Sequence, residues 1–402
     1  MKNRLLFFFL TRHSIYDVLF VSLFVIALFI PMSKINNASY DKAENRTLTT
    51  FKPLINQDGT LNYDFGKDFE AWFNDRFRFR YAICNSFNVL KYNLTSNIYE
   101  TSTAYYNKKN HFGYLKRYIV KTDSMFTRKF MKDAVKNLDK LNGFCKTNNI
   151  KLYVVIAPLN FEIYDKKIFP KVVSSQIKRK TEILSYISNH SQASVFYPIN
   201  ELKKASKKHY TAYKLDHHWT DYGAFIAYKI LMNKINKDFP QITPLNKNDF
   251  KIISSNQFRS TNFQRSFGNG NIIDHQIPFL KNCKNEILDA EYLHFTHKNS
   301  TILKKRLQKD AKRRIFNYTY EKGQDLKLML MGTSVNGSLT EFLPYNFKYT
   351  KQIRLNGTKF KAKEQYKIMK HYKNEILDFK PDILVLCLTT SNLLGVNDWF
   401  KE

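Results

Sequence analysis

The chain has 402 residues, 43% hydrophobic and 25% charged, enough apolar mass for a sizeable core and too much for wholesale disorder. Its 65 lysines and arginines against 34 acids leave a formal charge of +31, which concentrates polyanions nearby, so nucleic acid, anionic lipid and acidic polysaccharide all stay open as partners. Neither G-x-x-x-x-G-K-[ST] nor G-x-G-x-x-G occurs, and Cys84, Cys145, Cys283 and Cys387 form no C-x-x-C pair, which argues against nucleotide cradles, a zinc ribbon and a thioredoxin-like site.

In chain order, Leu5–Leu10 and the uncharged run Val18–Ser33, with Lys2, Arg4 and Arg12 alongside, read as a signal or anchor helix. A bilayer asks for about 20 apolar residues, and Ile15 and Tyr16 extend the run toward that length. No A-x-A site precedes Lys34, so an uncleaved anchor is expected, with a buried core helix as the bland alternative. Residues 1–36 are therefore taken as the anchor, in the cell membrane as a single pass, with the main domain outside the cytoplasm (periplasmic in a Gram-negative cell). Residues 37–120 form a membrane-proximal segment, and 121–402 the principal domain.

From Ser33 to Gly59 the chain is a polar tether. Tyr63–Tyr81 places Phe65, Phe69, Trp72, Phe73 and Phe77 at helical spacing, a packing stripe. Arg128–Asn148 is helical and feeds Lys151–Ala157, an apolar β-branched run closed by Pro158, which predicts an α/β layer with a parallel sheet flanked by helices. Further helices are expected at Arg179–Asn189 and Tyr222–Ile235, and strands at Ser194–Tyr197, Leu326–Met331 and Ile383–Leu388. The irregular stretch around 236–323 is expected to be an insertion capping the sheet.

Two segments carry chemistry. In Leu215–Ala224, an extended backbone would put Asp216 and His218 on one face, and an acid beside a histidine fixes the imidazole tautomer and stabilises the imidazolium. Thr220 or Asp221 would cap the next helix. In Leu326–Ser338, Gly332–Thr333–Ser334 follows a strand directly, where backbone N–H groups of the turn can hold an oxyanion, with Asn336 as an additional donor. Each has a plainer reading: the first as a metal cluster joined by His209 or His111 or as a structural knot, the second as a turn with a helix cap. Together they offer nucleophile, base and orienting acid in the order Asp, His, Ser.

Leu215–Thr220 resembles the signature of the DHHW proteins and the related alginate O-acetyltransferase family, whose fold is SGNH-hydrolase-like. Ala43–Leu48 is similar to that family's E-x-R-x-L motif, Trp72–Arg80 to its F-x-D-x-F-x-x-R helix, Ile156–Pro158 to its strand-end proline, and Pro381–Val385 to its last strand. The resemblance implies Ser334 as nucleophile, His218 as general base, Asp216 as its orienting acid, and a motif order permuted relative to other SGNH hydrolases. Asn336, Arg354 and Trp219 are the candidates for oxyanion or substrate contacts. Two positions depart from the pattern: Asn160 stands where a basic residue is expected, and Cys387–Asn392 replaces an acidic, arginine-bearing end.

The expected activity is a membrane-anchored O-acetyltransferase that moves an acetyl group through a serine acyl-enzyme onto a surface or secreted polysaccharide. An acidic glycan would be the acceptor and a separate membrane-bound acyl-donor protein the source, with no metal or cofactor. A carbohydrate esterase with the same triad and a non-catalytic polyanion-binding protein are the alternatives; nucleic acid is not expected, since no zinc-finger or RNP-type signature occurs.

Overall fold

A computed structural model describes residues 13–41, 46–100, 104–116, 127–164, 172–255, 290–307, 314–354 and 372–389. The features expected at Lys2, Arg4, Leu5–Leu10, Arg12, Ala43–Asn45, Cys283 and Thr390–Asn392 lie outside the described residues. The chain divides into two compact units, the described part of one ending at Thr95 and the other beginning at Ser96.

In the first unit the apolar segment is helical over His13–Phe29 (α1) and tightens into a 3₁₀ turn over Ile30–Ser33. Its apolar side chains are exposed, Phe20 to 70%. Among the described residues no helix is long and apolar enough to cross a membrane; α1 has 17 residues, so the expected anchor is seen only as an exposed apolar helix. Tyr40–Asp41 (β1) and Arg46–Thr47 (β2) pair antiparallel. The single helix expected over 63–81 is broken into Phe65–Arg76 (α2) and Arg80–Leu94 (α3), because Phe77 is extended and Phe79 takes the left-handed conformation at φ 62°. The aromatic stripe packs ring on ring, with Phe69–Trp72 centroids 5.6 Å apart and Phe73–Phe77 5.6 Å apart. Arg76 is buried and its guanidinium donates to the carbonyls of Asn36, Ala38 and Thr49, while Asp75 accepts from both N–H and O–H of Thr49. That acid–base pair is what ties the tether to the helix.

The second unit begins with a three-stranded antiparallel sheet, Ile98–Glu100 (β3), Ala104–Asn107 (β4) and Phe112–Leu115 (β5). Then come Arg128–Thr147 (α4), capped by Thr127, Lys151–Ala157 (β6), the single turn Asn160–Ile163 (α5), Val172–His190 (α6), Ser194–Phe196 (β7), Ile199–Ala205 (α7) and Asp221–Asp238 (α8). Phe250–Ser255 (β8) and Tyr292–His297 (β9) form an antiparallel ribbon. Lys304–Leu307 (β10), Arg314–Thr319 (β11), Gln324–Gly332 (β12), the 3₁₀ helix Ser334–Glu341, Phe347–Arg354 (β13), Tyr372–Phe379 (α9) and Ile383–Thr389 (β14) complete it.

The main sheet has the order β10-β11-β13-β12-β14-β6-β7. Its strands β13, β12, β14, β6 and β7 are parallel, as expected for the runs at β12, β14, β6 and β7; β13, which mixes Lys, Thr and Gln with its apolar residues, was not among the expected strands. The sheet is mixed, not wholly parallel, because β11 and β10 add antiparallel to β13. Both come from the stretch expected to be a cap over 236–323, so part of that stretch is sheet; its first residues, Asn236–Asp238, end α8. The pattern hid them: β10 is exposed at all four positions and β11 mixes Arg, Asn and Thr with its apolar residues, as a solvated edge does.

Period two sorts the sheet's side chains onto two cores. Tyr153, Val155, Leu328, Leu330, Val385 and Cys387 pack with α8, whereas Leu152, Val154, Met329, Met331, Leu384 and Leu386 pack with α4 and α6. Helices therefore cover both faces, and the parallel strands end together at the edge where Gly332 and Ala157 lie.

The start of α8 is fixed by contact with the chain before it. Thr220 caps it, accepting from Gly223 N–H at 3.1 Å and donating to Tyr210 O at 2.6 Å. A Cβ on Gly223 would lie 1.9 Å from Thr211 O, backbone against backbone. Gly223→Ala is expected to destabilise the second unit by about 1–3 kcal/mol, read from denaturant unfolding against wild type; an unchanged midpoint would mean that this close approach does not exist in solution.

Candidate active site

Asp216 and His218 sit at the tip of a tight backbone loop. Ala212 and Trp219 pair across it, Tyr213 N–H donates to His218 O at 3.2 Å, and Thr220 N–H donates to Thr211 O at 3.1 Å. The extended geometry expected for this segment is not what brings the pair together. Asp216 Oδ1 instead accepts from the backbone N–H of His218 at 2.9 Å, an Asx turn, and the same oxygen is hydrogen-bonded to His218 Nδ1.

Burial works against ionisation of the Asp216 carboxyl, but the His217 imidazole and the hydrogen bonds from His218 outweigh it and hold the group at about 2, below its ordinary 3.8. An ionised carboxylate only accepts, so Nδ1 of His218 carries the proton and Nε2 is left as an acceptor. His218 Nε2 lies 2.8 Å from Ser334 Oγ. Asp216, His218 and Ser334 thus form one hydrogen-bonded line, in which the acid and imidazole are buried and the serine is half-buried.

Ser334 is placed by the end of β12. A Cβ on Gly332 would lie 1.9 Å from Cys387 O, so only glycine lets the two parallel strands approach this closely before the chain turns out of the sheet. Thr333 N–H donates to Cys387 O at 3.1 Å, and the 3₁₀ helix starts at the next residue. Asn336 N–H donates back to Thr333 O at 3.0 Å. The N–H groups of Ser334 and Val335 precede that first donor, so the 3₁₀ helix itself offers them no carbonyl partner.

The remaining predicted residues have other placements. Asn336 is fully buried; its amide donates to Ile353 O at 3.1 Å and its oxygen accepts from Gln352 Nε2 at 2.9 Å. It fastens the 3₁₀ helix to β13 and does not supply the side-chain oxyanion donor expected of it. Trp219, expected to touch substrate, is 1% exposed, and its indole N–H donates to Val335 O at 3.1 Å. It ties the histidine loop to the turn that carries Ser334. Arg354 ends β13 in register with Gly332, and its guanidinium lies against the bare Cα of Gly337.

Asp216, His217 and His218 present metal-type donors within 4.8 Å of one another. Both ring nitrogens of His218 are engaged, by Asp216 and Ser334, while His111 is bonded to Tyr106 at 2.9 Å and His209 packs on Tyr222. Neither of those two histidines joins the cluster.

Sequence reasoning missed the groups that hold the loop. The side chain of Asn160 donates to Gly113 O at 3.0 Å and Tyr213 O at 3.2 Å. Tyr164 Oη accepts from the N–H groups of Thr211 and Ala212 at 2.9 and 3.1 Å and donates to Ala212 O at 3.1 Å; burial, partly offset by these bonds, pushes its hydroxyl up to about 12. Asn160 was legible only as a departure from the family pattern, and nothing local marks Tyr164.

Residues 121–263 match the family described as "SGNH hydrolase-like domain, acetyltransferase AlgX", a span that contains Asp216 and His218. That span is similar to an SGNH hydrolase-like domain. A DHHW family protein from Eubacterium siraeum shares its fold, with TM-score 0.51 at 13% identity over 76% of this chain and 97% of that one. PatB1 of Bacillus cereus aligns at TM-score 0.49 and 17% identity over 68% of this chain and 93% of that one. The O-acetyltransferase domain of Pseudomonas putida AlgJ aligns at 0.45 and 12%, over 74% and 93%. No curated protein matches the chain.

A carboxyl held at about 2 when folded and near 3.8 when unfolded stabilises the fold at every pH above the unfolded value, and that contribution is lost as pH falls through the folded one. Wild type is therefore expected to lose about 2 kcal/mol more than Asp216→Asn between pH 4 and pH 2, measured by denaturant unfolding at several pH values. Parallel pH curves for the two proteins would contradict the ionised carboxylate.

Proposed function

We propose that the protein is an O-acetyltransferase that acts on a polysaccharide through an acyl-enzyme at Ser334. The observation that carries the reading is the Asp216–His218–Ser334 hydrogen-bonded line at the C-terminal edge of an α/β sheet, where such folds place their chemistry. The family match over residues 121–263 supports the acetyl group and the fold type.

In this scheme Ser334 Oγ attacks the acyl carbonyl of a donor ester or thioester while its proton passes to His218 Nε2. The N–H groups of Ser334 and Val335 hold the oxyanion, and the imidazolium, stabilised by Asp216, returns the proton to the leaving group. A sugar hydroxyl then repeats the exchange: its oxygen forms the new ester bond, the bond to Ser334 Oγ breaks, and His218 carries the proton back to Ser334. Water in place of the sugar would give an esterase with the same residues.

The expected result is a transient acetyl adduct, seen by intact mass after incubation with a chromogenic acetyl ester, on wild type and absent from Ser334→Ala. Turnover should fall by about 10³-fold or more in Ser334→Ala and His218→Ala. Equal behaviour of all three proteins would remove the enzymatic reading and favour polyanion binding.

The exposed apolar helix α1, preceded by the apolar sequence Leu5–Leu10 and a basic flank, supports insertion into the cell membrane with the second unit outside the cytoplasm. A donor protein in the membrane would then supply the acyl group. Leu19→Lys with Phe24→Lys is expected to move the chain from the membrane to the soluble fraction of lysed cells; an unchanged distribution would exclude α1 as the anchor.

A further inference from the structure

A row of side chains beside Ser334 contains two cations, Arg354 and Lys305, that belong to neither the triad nor the two cores. It lies on the sheet face that the 3₁₀ helix covers, at the antiparallel edge added by β10 and β11. Strand register places Arg354 and Gln352 of β13, Phe316 and Tyr318 of β11, and Lys305 of β10 on one side of the sheet, because Phe316 pairs with Gln352 and Lys305 with Tyr318. Contacts bear this out: Tyr318 O–H donates to Gln352 at 3.2 Å, and Gln352 donates to Asn336 of the 3₁₀ helix at 2.9 Å.

Two cations flank the Phe316 ring. Lys305 Nζ lies 5.0 Å from its centroid, and the guanidinium carbon of Arg354 lies 5.9 Å from it. Lys305 is exposed, and Phe316 and Arg354 are half-buried, so solvent reaches the row. The Arg354 guanidinium is held beside the 3₁₀ helix that Ser334 begins because of Gly337. A Cβ there would sit 2.3 Å from a terminal guanidinium nitrogen, so the guanidinium rests where any other residue would carry its side chain. In a 3₁₀ helix residues i and i+3 eclipse at about 2 Å rise per residue, which puts Gly337 under Ser334 about 6 Å away. Glu341, at the far end of the helix, is the acid that faces Lys305.

The geometry points to an acceptor subsite: Arg354, Phe316 and Lys305 form a cationic platform that binds the anionic group of an acidic sugar chain and presents a neighbouring hydroxyl to Ser334. This rests on the acyl-transfer reading and adds the place where the acceptor is held and the charge it must bear. Arg354 offers a planar fork suited to a carboxylate or phosphate, and Lys305 a point charge further along the chain. The aromatic ring between them fixes both cations and supplies an apolar surface for a sugar ring.

The test uses the full chain as Ser334→Ala, so that binding is measured without turnover, with oligogalacturonate as the carboxylate probe, its methyl ester as the uncharged control and phosphorylated dextran as the phosphate probe. Arg354→Gln and Lys305→Gln are each expected to weaken oligogalacturonate binding by about tenfold, a change worth about 1.4 kcal/mol. Arg354→Lys should recover part of the loss, and the methyl ester should bind weakly to every form. Arg306→Gln removes a charge one residue away on the opposite side of β10 and is expected to change binding less than twofold. An equal loss in Arg306→Gln, or unchanged binding in both platform variants, would overturn the subsite. Tighter binding of the phosphate probe through the same two residues would support the platform and assign it to phosphate. A wild type that forms no acetyl adduct yet binds oligogalacturonate through Arg354 and Lys305 would refute the acyl chemistry and leave the platform standing.

Discussion

The hydrogen bond from the Trp219 indole to the Val335 carbonyl joins two segments 116 positions apart, and the rest of the site depends on that joint. Trp219 follows His218 directly, and Val335 follows Ser334 directly. A bond between the second members of each pair fixes the separation of the first members, so the imidazole and hydroxyl meet at 2.8 Å without either having to hold the loops together. A wholly buried donor that lost its acceptor would carry a desolvation cost of roughly 1–3 kcal/mol, which makes the joint selective for one arrangement of the two loops.

Around it, backbone carbonyls and amides are satisfied by side chains from a third part of the chain. Asn160 and Tyr164, just beyond β6, take up the polar groups of residues 211–214 that no sheet or helix pairs. The same turn is anchored in its own right: Glu162 accepts from Leu159 N–H at 2.7 Å and faces Lys180 at 3.4 Å, both side chains buried. Removing one partner of such a pair leaves an uncompensated charge, so its value lies in specifying the position of the turn. The histidine loop therefore hangs from β6, and Ser334 from β12 at the same edge of the sheet.

The antiparallel hairpin β10–β11 changes what that edge can do. A purely parallel sheet would end at β13, leaving Arg354 on an outer strand. With two strands added, Arg354 gains Phe316 as a neighbour and the face beside the 3₁₀ helix widens by a row of side chains. Much of the +31 charge is a solvated surface, but Arg354 is held close to chemistry by a glycine that leaves room for it.

The apolar strands, the amphipathic helices and the Thr220 cap were legible in the sequence, and Asp216, His218 and Ser334 were legible as candidates, because each follows from local periodicity or from a short motif. Less was legible about how they act. The Asp216–His218 contact arises from an Asx turn and not from strand alternation, Asn336 and Trp219 serve packing and not substrate, and β10 and β11 are sheet and not cap. For Trp219, Asn336 and the hairpin the deciding partner is distant in sequence: Val335 for Trp219, Ile353 and Gln352 for Asn336, β13 for the hairpin. The sequence by itself determined which chemistry the residues could perform and which segments were helix or buried strand. Tertiary structure alone decided which polar groups remain free to act, since a hydrogen-bonding side chain is functional or structural according to whether some remote carbonyl has already taken its proton.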